Sequence, residues 1–298
     1  MFGIAELDLL LPNFGLPILE IISPPPAHHP FGAGKTALLY LIIAHVILPA
    51  SFSSAVPLGG QEAAVVLVDP LNHFDVSRLT SIMLSCLATT ISSAGQDLDE
   101  STKLEMRTTV RRSLPHIHIF RPQSWPSLLA TLGSLPDYLF NSLRHKSMHR
   151  RIHSLIFEDV DAFVWSIRNT PSIPHNPSNL LSTASTQLTS RISRLTSLLS
   201  SATILTSHSA LPSMFRPAVP ISWPVGSTVT RLAVRRAEVL KFAPTISIEE
   251  AEAEREQRWE VLKRGRFECW KVGTGVGEEE GFIFSITATS VCVEKDER

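Results

Sequence analysis

Short apolar runs alternate with longer helix-like stretches through the first two thirds of the chain. The runs are nearly continuous, as is typical of strands buried on both faces of a parallel sheet. The predicted strands lie at residues 18–22, 63–68, 116–120, 154–157 and 202–206, and the predicted helices at residues 35–48, 76–92, 100–112, 125–145 and 180–200. Five alternations of strand and helix predict a doubly wound sheet with right-handed crossovers.

The pattern changes after residue 210, where strand-like segments become more closely spaced. These segments lie at residues 228–234, 267–272, 282–288 and 291–293, and a charged, helix-like segment at residues 248–264 interrupts them. We expect the charged segment to be an exposed helical insertion with intrahelical ion pairs. An arm that contacts a partner protein or DNA is the alternative.

The predicted organisation is one domain across residues 1–298. A short lead-in at residues 1–17 precedes a core at residues 18–210, and residues 211–298 add the C-terminal strands. Residues 50–62 are predicted to form a Ser/Gly-containing loop. Chain length and a 44% hydrophobic content suffice for one large core. The predicted fold class is α/β, with a mostly parallel doubly wound sheet and antiparallel C-terminal strands.

Charge and cysteine content argue against several classes of function. The formal net charge is −1, so a protein that coats nucleic acid by itself is not expected. Three cysteines without a CxxC spacing argue against a disulfide framework or a zinc site. The short basic runs are expected to be solvated helix ends, with a DNA site as the alternative. They are Arg111-Arg112, Arg150-Arg151, Arg235-Arg236 and residues 263–266.

Secretion and membrane insertion are not predicted. The N-terminus lacks the basic region of a signal peptide, because Glu6 and Asp8 are its first charged residues. The longest apolar run, residues 37–48, contains His45 and is too short to span a bilayer. We therefore expect a reducing compartment, either cytosol or nucleus, and no membrane partner.

A glycine-rich motif stands between the first predicted strand and the first long helix. Gly32, Ala33, Gly34, Lys35 and Thr36 therefore occupy the context of a phosphate-binding loop. In such a loop, backbone N–H groups and the helix N-terminus face the phosphates. Lys35 would reach the β and γ phosphates, and Thr36 would hold Mg²⁺ through its hydroxyl. The motif predicts a core that binds ATP and Mg²⁺.

The loop departs from the full phosphate-binding pattern on its N-terminal side. His29 stands where the pattern has a glycine, and the prolines at residues 24–26 look like part of an insertion. A glycine-rich turn without a ligand is the alternative. Metal ligation by His28 and His29 is not favoured, because two neighbouring side chains rarely converge on one ion.

An acidic pair supplies the second feature that an ATP site requires. Glu158 and Asp159 directly follow the buried apolar run at residues 155–157. Ligands of open α/β sheets bind at the carboxyl ends of the strands. The pair is therefore predicted to hold Mg²⁺ together with Thr36, with an ordinary acidic strand end as the alternative.

Four segments share features with one protein family. They are Leu19-Glu20-Ile21 with Gly34-Lys35-Thr36, Val66-Leu67-Val68-Asp69 with His73-Phe74-Asp75, Leu155-Ile156-Phe157-Glu158 with Ala162-Phe163-Val164-Trp165, and Ala202-Thr203-Ile204-Leu205-Thr206. Across residues 18–210 the chain resembles the eukaryotic RecA-like recombinase paralogues of DNA repair. Within that family it resembles most the type called X-ray-repair cross-complementing protein two.

The resemblance implies a RecA-like core and a nuclear role in homologous recombination. It implies assembly with another RecA-like recombinase paralogue. The loops that contact DNA in such cores correspond to residues 166–186 and 208–227, in which only Arg168 and Arg216 are basic. Because phosphate neutralisation supplies most non-specific affinity, we expect contact with single-stranded or branched DNA only within the complex.

Departures from the family pattern indicate at most a weak DNA-dependent ATPase. Leu71 occupies the position of the carboxylate that orients the attacking water, and Glu158 replaces the usual metal-strand aspartate. Groups that orient or activate water contribute about 10²–10⁴-fold to a rate. The polar sensor after the fifth strand would be His208 or Ser207. An active P-loop ATPase or small-molecule kinase, and a pseudo-NTPase scaffold without nucleotide, are the alternatives.

Overall fold

The computed structural model describes residues 1–12, 15–25, 34–53, 56–169, 177–211, 215–217, 221–237, 265–272 and 280–294, together with residues 252 and 255. The helices are α1 (Ala5–Leu9), α2 (Lys35–Ile47), α3 (Val76–Ser93), α4 (Glu100–Ser113), α5 (Trp125–Leu139), α6 (Val164–Arg168) and α7 (Pro177–Leu199), with a 3-10 turn at Leu114–His116. The strands are β1 (Ile18–Ser23), β2 (Ser51–Phe52), β3 (Val56–Pro57), β4 (Ala64–Val68), β5 (Ile117–Phe120), β6 (Ile152–Phe157), β7 (Ala202–His208), β8 (Val229–Arg236), β9 (Arg266–Lys271), β10 (Gly281–Ile286) and β11 (Val291–Val293).

Within the described residues, nine strands form one sheet in the order β11-β10-β9-β8-β1-β7-β6-β4-β5. The pairings from β8 through β5 are parallel. The last three strands, β9 to β11, add on in antiparallel fashion. The predicted α/β fold, mostly parallel with antiparallel C-terminal strands, is confirmed, and it is consistent with a RecA-like core. The assignment of residues 1–298 to a single domain stays a prediction.

The sheet is covered on both faces because its strands are apolar on both sides. In β4, Val65 and Leu67 join one hydrophobic cluster, which includes residues of α2, α3 and α4. Val66 and Val68 join a second cluster, formed with residues of α5, α6 and α7. This explains the continuous apolar runs in the sequence, since successive side chains of a strand point to opposite faces.

A buried ion pair joins the neighbouring strands β1 and β8. Glu20 of β1 is 2% exposed and lies opposite Arg231 of β8. Its Oε2 accepts hydrogen bonds from Arg231 Nε and Nη2, at 2.9 and 2.7 Å. Trp223 Nε1 donates to the other carboxylate oxygen at 2.7 Å. The buried charge is therefore paired and hydrogen-bonded on both oxygens, as burial requires.

The N-terminal segment is more than the predicted lead-in. Phe2 and Leu7 are fully buried, and the Asp8 carboxylate accepts hydrogen bonds from the backbone N–H groups of Phe2 and Gly3. The Phe2 ring also packs edge-on against His153 of β6, with 5.4 Å between ring centroids. Helix α1 has only five residues, which is too short for a helical period to appear in the sequence.

Three further expectations about element bounds were wrong. The predicted loop at residues 50–62 contains the β2–β3 hairpin. The helix predicted at residues 125–145 ends at Leu139, although the sequence shows no glycine stop there. Helix α7 begins at Pro177, so the latter part of the predicted DNA loop at residues 166–186 is helical.

Two other expectations concern the charged segment and membrane insertion. The helix predicted at residues 248–264 lies outside the described residues except for residues 252 and 255, which are helical. Among the helices that the structure describes, none combines the length and apolar character needed to cross a membrane.

A buried histidine network closes the start of β5. His118 Nδ1 lies 3.0 Å from the Tyr138 hydroxyl, and its Nε2 lies 3.0 Å from Ser147 Oγ. The same serine hydroxyl lies 2.9 Å from His116 Nδ1. Burial lowers the pKa of His118 to about 4, and the charge of nearby His145 adds to this effect. The ring is therefore neutral at pH 7.

We predict that stability falls with acidification because His118 must become protonated. Its pKa is about 4 when folded, against 6.5 for an unperturbed histidine. A lowered pKa contributes stability that is complete above pH 6.5 and is lost as the pH falls through 4. The contribution is about 3 kcal/mol of unfolding free energy. Urea unfolding from pH 7 to pH 4 measures it.

His118→Gln should remove this part of the pH dependence, and His149→Gln, at an exposed histidine, is the matched control. An unchanged pH dependence in His118→Gln would contradict the assignment.

Candidate functional site

The junction between β1 and α2 requires a glycine at its end. Gly34 caps α2 with a φ of 88°, in the left-handed region that favours glycine. A Cβ at this position would also lie 2.7 Å from Phe267 Cδ1 of β9. The predicted phosphate-loop residues Gly32 and Ala33, like His28 and His29, lie outside the described residues.

Lys35 is the first residue of α2 and is buried, with 6% exposure. Its Nζ donates to the carbonyl oxygen of Ser207 at 3.0 Å and lies 3.1 Å from Asp159 Oδ1. Asp159 is itself 3% exposed. A buried ammonium stays charged only with such partners. The lysine of the predicted phosphate loop is therefore held by the ends of β6 and β7.

Thr36 and Glu158 meet beside this ion pair. Thr36 Oγ1 donates to Glu158 Oε1 at 2.5 Å. Glu158 Oε2 is buried and has no hydrogen-bond partner within the described structure. Burial raises the pKa of Glu158 to about 7; the charges of Asp159 and Asp69 also raise it, and the Thr36 hydrogen bond opposes them. A hydroxyl oxygen beside an orphaned carboxylate oxygen is a donor set that fits a hard cation such as Mg²⁺.

Asp159 connects the two halves of the site through an unusual backbone conformation. Its φ is 48°, although it is not a glycine. Such left-handed residues are uncommon and persist where surrounding contacts hold them. Here the backbone N–H of Asp159 donates to Thr206 Oγ1 at 2.9 Å. Its second carboxylate oxygen lies 3.0 Å from His73 Nδ1, so one carboxylate contacts both Lys35 and His73.

A second histidine–carboxylate pair lies next to Asp159. His208 Nδ1 is 3.1 Å from Asp161 Oδ2 and 3.8 Å from Asp159 Oδ1. Burial would raise the pKa of Asp161, but hydrogen bonds from His208 and the charges of His208 and Lys35 bring it below its usual value. Two sets of groups with metal-ligand chemistry therefore share Asp159: one with His73 and Glu158, the other with Asp161 and His208.

The turn after β4 lacks an acidic group aimed at the site. Asp69 is fully buried, and its two carboxylate oxygens accept hydrogen bonds from the backbone N–H groups of His73 and Phe74, at 2.9 and 3.1 Å. Arg121 Nε lies 3.6 Å from the same carboxylate. Leu71, in the predicted water-orienting position, is 46% exposed. Asp69 is committed to shaping the turn and Leu71 carries no polar group.

The His-Phe-Asp segment has structural reasons of its own. The Phe74 ring packs on Tyr40 of α2, with 4.5 Å between centroids. The Tyr40 hydroxyl accepts a hydrogen bond from the backbone N–H of Asp75 at 2.7 Å. Asp75 then caps α3 by accepting from Ser77 N at 2.8 Å. Phe74 and Asp75, which belong to the segments that carry the family resemblance, therefore pack the β4–α3 turn against α2 and cap α3.

The structure brings together the described residues that the sequence predicted for the site, namely Lys35, Thr36, Glu158 and Asp159. Two members were missed by the sequence reasoning, His73 and Asp161. His73 was visible only as part of a motif, and Asp161 only as a carboxylate two residues beyond Asp159. The roles of Lys35, Thr36, Glu158 and Asp159 in binding ATP and Mg²⁺ stay predictions.

The ion pair between Lys35 and Asp159 should be strongly coupled in the nucleotide-free protein. We predict that Lys35→Met and Asp159→Asn interact by about 1–3 kcal/mol, because either change alone leaves a buried charge unpaired. A double-mutant cycle of urea unfolding free energies measures this coupling. The exposed pair of Lys103 and Glu100, 2.8 Å apart on α4, is the control and should show none. Additive effects of the two site changes would refute the pairing.

Comparison with known proteins gives a similarity to a DNA repair protein. No protein-family model matches the chain. The chain is 28% identical over 130 residues to the protein named DNA repair protein RAD51 homolog 3 from Cricetulus griseus. The aligned part covers 43% of this chain and 32% of that relative, so the match spans about a third of the curated protein. This weak similarity supports the predicted relationship to RecA-like DNA-repair recombinase paralogues.

Proposed function

We propose that the chain is a recombinase-paralogue subunit that binds ATP and Mg²⁺ and acts in homologous-recombination repair of DNA double-strand breaks. The observation that carries the proposal is the meeting of Lys35 and Thr36 with Glu158 and Asp159 at the carboxyl ends of β1 and β6. The α/β fold and the similarity to a DNA repair protein supply the context.

Different site residues would contact the phosphates and the cation of a bound nucleotide. Lys35 would leave Asp159 and the Ser207 carbonyl to contact the β and γ phosphates, and backbone N–H groups at the start of α2 would face the same anion. Thr36 would hold the cation through its hydroxyl oxygen, and Glu158 through its carboxylate, of which one oxygen has no partner within the described structure. Bound Mg²⁺ neutralises phosphate charge and would favour the ionised form of Glu158.

Hydrolysis is proposed to be weak or absent. Leu71 has no group that orients water, and the buried Asp69 carboxylate already accepts two backbone hydrogen bonds. His73 pairs with the Asp159 carboxylate, but that carboxylate also holds Lys35. The account therefore favours ATP as a ligand of an assembled subunit. Its alternatives are an active ATPase and a scaffold without nucleotide.

Assembly with a second RecA-like paralogue, nuclear localisation and DNA contact within the complex complete the proposal. Their support is the similarity to the hamster repair protein together with the shared sequence segments. The finer resemblance, to the type called X-ray-repair cross-complementing protein two, rests on those segments alone and is part of the proposal. Trp165 suits an interface role, since it is 70% exposed and has the Arg168 guanidinium 5.4 Å from its ring centroid.

We predict that Mg²⁺–ATP raises the melting temperature of the purified chain and that Lys35→Ala abolishes the rise. A ligand at 100 times its Kd stabilises the folded state by about 2.7 kcal/mol. Thermal melting with and without Mg²⁺–ATP measures the shift, and isothermal titration gives the Kd. Lys103→Ala, at an exposed lysine of α4, is the matched control and should keep the full shift.

The same samples distinguish the alternatives. Absence of binding by the wild type, alone and with a paralogue partner, would leave the scaffold without nucleotide. Steady-state ATP turnover that disappears in Lys35→Ala would instead establish an active ATPase.

A further inference from the structure

A basic cavity opens at the edge of the sheet opposite the candidate ATP site. Its volume is about 460 Å³, and it lies beside the amino end of β5. Volumes of this order are typical of ligand sites. The lining includes Thr108, Arg111, Arg112, His116, Lys146 and His149. No acidic side chain belongs to this lining within the described structure.

Two basic segments that are distant in sequence meet at this cavity. Arg111 and Arg112 end α4, whereas Lys146 and His149 belong to the segment that leads into β6. The 3-10 turn after α4 places His116 between them, with its ring 5.5 Å from that of His149. The buried Ser147 hydroxyl, 2.9 Å from His116 Nδ1, ties the second segment to the turn. The contacts of His116 with Ser147 and His149 therefore hold the two sides of the cavity together, although its charged side chains are exposed.

The cations of the cavity lack the neutralising partners that some other arginines have. Arg231, Arg235 and Arg266 each pair with a glutamate. Among the described residues, Arg111, Arg112 and Lys146 take part in no ion pair. Three unpaired cations facing one concave surface raise the local potential for anions, even on a chain whose net charge is −1.

We propose that this cavity binds the phosphate backbone of a nucleic-acid strand. Its positive side chains come from separate elements around an open surface, which suits a polymer with regularly spaced charges better than one anionic group.

The basic surface also continues beyond the cavity. Arg144 and Arg151 belong to the same eight-residue stretch as Lys146, residues 144–151, and this stretch contains no acidic residue. The Arg151 guanidinium reaches Gln61, just before β4, so the cations extend along the amino edge of the sheet. A nucleic-acid strand could follow this edge past several of them. Acidic peptide is the competing ligand that the test includes.

This site is separate from the candidate ATP site in position and in residues. Lys35 and the carboxylates lie at the carboxyl ends of the strands, whereas the cavity lies at their amino ends. Both sites could be occupied at once, and the proposal does not depend on nucleotide binding. It extends to the chain alone the DNA contact that the sequence led us to expect only within the complex. It assigns a binding role to Arg111 and Arg112, for which the sequence favoured a solvated helix end over a DNA site.

Fluorescence anisotropy of labelled single-stranded and duplex DNA oligonucleotides, titrated with the full chain without nucleotide, tests the proposal. Arg111→Gln/Arg112→Gln should weaken binding on the order of tenfold near 0.1 M salt and lower the slope of log K against log salt by about 1.4 for the single strand, since each phosphate contact contributes about 0.7. The matched control is Arg191→Gln/Arg194→Gln, which removes two exposed arginines from α7. Lys146→Gln gives a second variant, outside any helix, if the first double variant loses its cooperative melting transition.

Three outcomes would overturn the proposal. They are absence of DNA binding by the wild type, equal losses in the cavity and control variants, and displacement of DNA by polyglutamate at equal charge concentration. Lys35→Ala should bind the oligonucleotides like the wild type, and Arg111→Gln/Arg112→Gln should keep its response to Mg²⁺–ATP. Failure of one proposal is therefore distinguishable from failure of the other.

Discussion

The buried contact between Lys35 and Asp159 is the interaction on which the site depends. A charged ammonium and a charged carboxylate can both lie inside the protein only if they face each other and their remaining donor and acceptor atoms also have partners. The Ser207 carbonyl accepts a hydrogen bond from Lys35, and His73 contacts the second carboxylate oxygen of Asp159. The start of α2 and the ends of β6 and β7 are thereby tied together. A phosphate group would satisfy Lys35 in the same way that Asp159 does.

The order of the strands makes this contact possible. β7 lies between β1 and β6, so Asp159 must reach past the end of β7 to meet Lys35. The left-handed backbone at Asp159 and its bond to Thr206 of β7 provide that reach. Glu158, one residue earlier, stays over Thr36 with one carboxylate oxygen unpaired. Glu158 therefore contacts Thr36 while Asp159 contacts Lys35, because the backbone turns sharply at Asp159.

Local patterns allowed the sheet and the centre of the site to be predicted. Buried strands appear as apolar runs, and Lys35, Thr36, Glu158 and Asp159 directly follow such runs or open the helix after them. His73 and Asp161 could not be assigned in this way, because their contacts depend on the registers of β4, β6 and β7 relative to one another. Helix α1 was missed because five residues carry no helical period. The basic cavity was hidden because Arg112 and Lys146 meet only in the folded chain.

A crystal structure of the chain with Mg²⁺ and a non-hydrolysable ATP analogue is the decisive test of the proposed ATP site. We expect Lys35 Nζ to leave Asp159 and to lie within hydrogen-bonding distance of the β or γ phosphate. We also expect the Thr36 hydroxyl and the Glu158 carboxylate to separate and face the cation. A bound analogue elsewhere on the chain, with the contact between Lys35 and Asp159 still at about its present 3.1 Å, would contradict the account.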